Sequence, residues 1–139
     1  MFARILVPVD LSERNAPALD TAAELAAAGA GTLLILHVIE EIEDVGVDEL
    51  AEFYQGLRVR AEKALDAMRA QLEGRGASVA TRIETGKRGA EIVRCAEDEG
   101  CDLVVLRSHV LDLQHPVRGL GTISHQVALA CRCAVLLVR

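Results

Sequence analysis

The chain alternates between short apolar runs and longer stretches in which apolar residues recur every three or four positions. Ile5-Leu6-Val7-Pro8-Val9 is the first run, with no polar break before Asp10. A strand buried on both faces has this signature, as in a parallel sheet. From Asn15 to Ala28, Leu19, Ala22, Ala23 and Ala26 share one helical stripe. Ser12 and Asn15 are both capping types. Asn15 fits better, because it leaves Pro17 in the first turn, where a missing N–H does no harm. Gly29 and Gly31 frame the exit. Thr32 to Ile39 predicts a second buried strand. The acidic run Glu40 to Glu49 predicts a solvated loop leading into a helix, whose dipole its acids suit. Phe53, Leu57, Ala61, Ala64, Leu65, Met68 and Leu72 then mark one face of a long helix, from Leu50 to near Gly74-Arg75-Gly76. Ala77 to Glu84 alternates, with Val79, Thr81 and Ile83 on one side, as in a strand near a sheet edge. Thr85 to Gly89 predicts a turn. Ala90 to Glu99 predicts a helix with Ile92, Val93 and Ala96 inward. Asp102 to Leu106 is another buried strand. After a long loop, Ile123, Val127, Ala130 and Cys131 make a helix face, and Ala134 to Val138 is a final apolar strand.

Strands and helices in this order predict a parallel sheet covered by helices on both sides. Right-handed crossovers leave few topologies. The 139 residues suit one domain, 1–139, with one core. That core is aliphatic, since the chain holds only two Phe and one Tyr. The net charge of −6 argues against a nucleic-acid partner. The apolar run Ile5 to Val9 is too short for a signal peptide or a membrane span, so a cytoplasmic protein is expected. Cys95, Cys101, Cys131 and Cys133 match no common zinc spacing. On one strand Cys131 and Cys133 would sit near the long limit for a disulfide, and around a helix end they would diverge.

In open α/β sheets a ligand binds beyond the carboxyl ends of the strands, where the strand order reverses. Two connections are candidates: Pro8-Val9-Asp10 after the first strand, and residues 107–122 after the fourth. The second is long for such a connection, and long ordered loops are often functional. Gly121-Thr122 opens the last helix, where free N–H groups and the dipole favour an anion. Glycine lets the backbone come close to a phosphate, Gly119 relaxes the chain just before, and Thr122 and Ser124 add hydroxyls. The same glycines can equally shape a turn, with Thr122 a plain cap. Asp10 can accept from ribose hydroxyls or a base amino group, or from N–H groups of its own turn.

Val7-Pro8-Val9-Asp10-Leu11-Ser12-Glu13, His37-Val38, Gly100 to Leu106, and Gly121-Thr122-Ile123-Ser124 together resemble the universal stress protein family. The likeness runs along essentially the whole chain. It implies a three-layer, Rossmann-like α/β sandwich of the adenine nucleotide alpha hydrolase-like type, with a five-stranded parallel sheet of order 3-2-1-4-5. It also implies a homodimer joined through the C-terminal strand, 134–138. The apolar edge of that strand independently calls for cover. Family members that bind ATP share a motif, G-x2-G-x9-G-[S/T]. By position, Pro8, Asp10 and Val38 would flank adenine and ribose, and Gly121, Thr122 and Ile123 would face the phosphates. The leading glycines are missing here. Counted from the fourth strand their places hold Arg107 and Val110; counted back from Gly121 they hold Ser108 and Leu111. Pro116 stiffens the loop further. Arg107, His109, His115 or Arg118 could bind an anion through side chains instead, or simply face solvent.

The reading that follows is a regulatory or signalling module acting as a homodimer on a further protein partner, with weak or absent ATP binding. The alternative is a genuine ATP- or AMP-binding stress protein using Asp10 and the Gly121-Thr122 helix start. No base–nucleophile pair is assignable, so the chain is expected not to be an enzyme, slow ATP hydrolysis aside.

Overall fold

A computed structural model describes residues 2–42, 50–108, 113–114 and 122–139. Five strands form one parallel sheet: β1 (Arg4–Pro8), β2 (Thr32–Glu40), β3 (Ser78–Gly86), β4 (Leu103–Arg107) and β5 (Ala134–Val138). Their spatial order is β3-β2-β1-β4-β5, the order implied by the resemblance. The helices are α1 (Ala16–Ala28), α2 (Ala51–Glu73), α3 (Arg88–Asp98) and α4 (Ile123–Ala130).

The two-residue period of a strand sends alternate side chains to opposite faces. Ile5, Val7, Leu33, Ile35 and Val105 therefore pack with α1 and α2, through Ala22, Ala26, Leu65 and Leu72. Leu6, Leu36, Val38, Val104 and Leu106 pack with α3 and α4, through Ile92, Cys95, Ala96 and Val127. Both sets are buried, so each central strand reads as an unbroken apolar run. Alanine on α1 lets that helix lie close to the sheet. β3 is an edge strand, as its alternation predicted.

Several local expectations need correction. Asn15 makes no side-chain capping bond to α1. Ser12 caps instead, accepting from Arg14 N at the head of a short 3₁₀ turn, Glu13–Asn15, and Asn15 turns back toward the preceding strand. At the exit of α1 the left-handed residue is Ala30 (φ 51°), not a flanking glycine. Gly31 serves another purpose: a Cβ there would lie 2.5 Å from Phe2 O and 2.9 Å from Ala3 O. Tyr54, not Phe53, faces inward at the start of α2, and its hydroxyl accepts from Ile42 N at 2.8 Å. β3 runs on through Thr85 and Gly86, so α3 begins at Arg88. On α3, Cys95 is buried where Val93 was expected, and on α4 Ala130 is exposed. Most of the acidic run, residues 43–49, lies outside the described residues.

Candidate functional site

The strand order reverses between β1 and β4, and the connections that leave their carboxyl ends part in opposite directions. A crevice of about 350 Å³ opens there. That is near the small end of the range for ligand clefts, roughly 300–1,000 Å³. Seven of the nine residues singled out in the sequence line it: Pro8, Asp10, Val38, Arg107, Thr122, Ile123 and Ser124. Gly119 and Gly121 lie outside the described residues, as do His109, Val110, His115, Pro116 and Arg118.

The near wall is built by the turn after β1. Val9 N donates to Leu36 O at 2.8 Å, and the His37 ring Nδ1 lies 2.9 Å from Val9 O. These contacts fasten the end of β1 to β2. Asp10 Oδ1 then accepts from Ser12 N, from the Ser12 hydroxyl and from Asn15 Nδ2, at 2.8, 2.5 and 2.8 Å. Asn15 Nδ2 also donates to Asp10 O (2.8 Å) and Ser12 O (2.9 Å). Asn15 is 4 % exposed, so its amide is a buried peg with every donor used locally. All three bonds to Asp10 fall on Oδ1; none among the described residues falls on Oδ2. Burial raises the pKa of Asp10, but Ser12, Asn15 and the Arg88 charge outweigh it and hold the carboxyl below its ordinary value. Asp10 is an anion at neutral pH.

The far wall joins the end of β4 to the start of α4. Ser108 N donates to Val138 O at 2.7 Å, which extends the β4–β5 pairing by one residue. The Ser124 hydroxyl lies 3.2 Å from both the Ser108 and the Thr122 hydroxyls. Thr122 caps α4, accepting from His125 N at 3.3 Å. Three hydroxyls thus meet where the helix dipole is positive. Leu36, Ile92 and Leu106 supply an apolar floor, and Arg88 stands at the rim with its Nε 3.6 Å from Glu40 Oε1.

Sequence reading missed Asn15 and Arg88 as parts of the site. Arg88 was passed over as a turn residue. The available signal was topological, since Arg88 comes two residues after the end of β3 and so sits at the carboxyl end of the sheet with Asp10. Leu36 was also recoverable, being two residues before Val38 and on the same face.

The cysteines lie elsewhere. Cys101, Cys131 and Cys133 border a depression at the amino ends of β4 and β5, and all four cysteines are free. Burial pushes the Cys101 thiol up to about 11. Burial, the neighbouring Cys133 and the charge of Glu97 take Cys131 to about 11 as well. Such thiols are poor nucleophiles at neutral pH. Among the described residues no group of three or more His, Cys, Asp or Glu is placed to hold a metal ion.

A doubly wound parallel sheet with an open crevice at its switch point defines the class: a Rossmann-like α/β protein. The profile of the universal stress protein family matches residues 1–139, and the chain belongs to that family. Universal stress protein YxiE of Bacillus subtilis is 30% identical over 149 residues, covering 100% of both chains. Universal stress protein MJ0577 of Methanocaldococcus jannaschii is 30% identical over 126 residues, covering 78% of each. The solved structure of MJ0577 superposes with a TM-score of 0.84 at 32% identity, over 99% of this chain and 96% of that one. More distant structures share the fold. They include a universal stress protein in complex with cAMP (TM-score 0.74, 23% identity, 99% and 97% covered). Another is the Archaeoglobus fulgidus protein in complex with dAMP (0.73, 17%, 99% and 98%).

Proposed function

We propose that residues 1–139 form one cytoplasmic regulatory domain that binds an adenine nucleotide in the β1–β4 crevice, works as a homodimer and signals through a protein partner. The observation that carries the nucleotide part is the state of Asp10. Its Oδ1 is committed to its own turn, while Oδ2 is left as an acceptor in a crevice with an apolar floor. A nucleoside offers what complements this: a flat, weakly polar base for the floor and hydroxyl or amino donors for the carboxylate. The cAMP and dAMP complexes of fold relatives support the same class of ligand. Among the described residues the crevice is left open, with a volume of about 350 Å³, which favours a nucleotide-binding protein over a nucleotide-free module of the same fold.

The role is binding rather than turnover. The Ser108 and Thr122 hydroxyls each lie 3.2 Å from that of Ser124 at the start of α4, and the His37 ring Nδ1 lies 2.9 Å from a backbone carbonyl, an arrangement we read as a polar seat for a ligand. The dimer reading rests on β5. It is a sheet edge with Leu136 37 % exposed, and α4 beside it shows Leu129 at 76 %. Strand pairing across a two-fold axis would cover that edge.

Asp10→Asn tests the nucleotide reading. The substitution keeps an oxygen for the turn and turns the ligand-facing acceptor into a donor. Titration calorimetry with adenosine, AMP and ATP should give micromolar binding to the native chain. In the variant affinity should fall roughly 10- to 100-fold. Absence of binding by all three ligands, or equal binding by both proteins, overturns it.

A further inference from the structure

The crevice reverses the charge of the chain around it. The chain carries a net −6, yet the described crevice lining holds two arginines, Arg88 and Arg107, against one carboxylate, Asp10. The two arginines are not equivalent. The charge of Arg88 acts on Asp10, and its Nε also faces Glu40 at 3.6 Å, so it is shared between two carboxylates. Arg107 closes β4, is exposed, and lines the crevice beside Leu106. Among the described residues its guanidinium has no ion pair and no hydrogen bond. It is an uncommitted cation lining a cleft whose other arginine, Arg88, is already shared between two carboxylates.

We infer that Arg107 is the phosphate-binding residue of this crevice and makes it selective for nucleoside monophosphates over triphosphates. The inference rests on the nucleotide reading above and adds which part of the nucleotide is read, and by what. A guanidinium offers a planar fork that matches two oxygens of one phosphate. A phosphate monoester brings a charge of roughly −1.5 to −2 at pH 7, which one free arginine and nearby hydroxyls can meet. A triphosphate brings considerably more charge and needs a row of backbone N–H groups at close approach, the arrangement glycine permits. In either register of the long connection, side chains stand where such glycines would be: Arg107 and Val110, or Ser108 and Leu111. On this inference the guanidinium contacts one phosphate from a place where the family's ATP-binding motif has a glycine.

The test uses the full chain, Arg107→Ala and Arg107→Lys, titrated with adenosine, AMP and ATP. Arg107 is exposed, so the variants should fold, which circular dichroism checks. The native chain should bind AMP roughly 10- to 100-fold tighter than adenosine, and ATP no tighter than AMP. Arg107→Ala should bring AMP down to the level of adenosine and leave adenosine unchanged. Arg107→Lys, which keeps the charge but not the fork, should fall between. The inference is overturned if AMP binds native protein no better than adenosine. It is also overturned if Arg107→Ala keeps the AMP preference, or if ATP binds more than tenfold tighter than AMP. In each of those cases adenosine binding that Asp10→Asn weakens leaves the broader reading standing. Failure of all three ligands to bind the native chain removes both.

Discussion

Asn15→Asp separates two roles that one residue could have at this place. If Asn15 were a helix cap, aspartate would serve as well, and stability would change by no more than about 0.5 kcal/mol. The structure instead uses the amide as a donor, to Asp10 Oδ1, Asp10 O and Ser12 O at 2.8, 2.8 and 2.9 Å. An aspartate would put an oxygen against three acceptors, one of them an anion. Two unit charges about 4 Å apart repel by about 4 kcal/mol at an effective dielectric of about 20. The pair can relieve this by holding one proton, which at pH 7 costs roughly 4 kcal/mol for a carboxyl of ordinary pKa. Either route, discounted for water at the crevice mouth, leaves a loss of about 3 kcal/mol. A domain stable by about 5–15 kcal/mol stays folded under that loss, so the loss is measurable. Urea unfolding followed by far-UV circular dichroism suits a chain without tryptophan. The pH dependence has a definite sign. In the native variant the shared carboxyl has a raised pKa, so the folded state binds more protons than the unfolded chain. The deficit therefore shrinks as pH falls from 7 toward 4, by up to about 1.4 kcal/mol per unit. In the native protein Asp10 has the opposite sign: its lowered pKa contributes stability above the ordinary carboxylate value, lost as pH falls through the depressed one. A variant within 0.5 kcal/mol of the native protein at pH 7, or a deficit that grows on acidification, would refute the donor assignment.

Two adjacent residues after α1 should respond in opposite directions in thermal melts. Gly31→Ala forces a Cβ against the Phe2 and Ala3 carbonyls and should cost about 1–3 kcal/mol. Ala30→Gly relieves a left-handed alanine and should stabilise by up to about 1 kcal/mol. Equal melting of all three proteins would remove the steric account. At the sheet edge, Leu136→Lys should shift sedimentation from dimer to monomer at micromolar concentration. A native chain that sediments as a monomer there overturns the dimer.

The crevice shows how far sequence reasoning reached. Asp10 and Val38 were legible because each ends or nearly ends an apolar run, and the carboxyl end of a buried strand is where a parallel sheet presents chemistry. Thr122 was legible as a capping type before a helical stripe. Arg107 was legible by position, as the residue that stands where a glycine was due. Asn15 was read as a cap because its spacing to Pro17 fits one. Whether an amide at such a place accepts from the helix ahead or donates to the turn behind depends on where Asp10 and Ser12 lie in space. Arg88 could be placed only once β3 was known to run through Gly86 and bring α3 to the crevice rim. Phe53 and Tyr54 show the same limit, since neighbouring aromatics a hundred degrees apart on a helix compete for one inward position.

By itself the sequence determined the element order, the aliphatic core and the parallel sheet, because these follow from local periodicity and from the need to bury both faces of each central strand. The tertiary structure decided which polar groups meet. The turn that holds Asp10 and Asn15, the Arg88 guanidinium and the Arg107 guanidinium come from three separate segments. Their partners and charges are set by distances of a few ångströms across the sheet, which no pattern along the chain encodes.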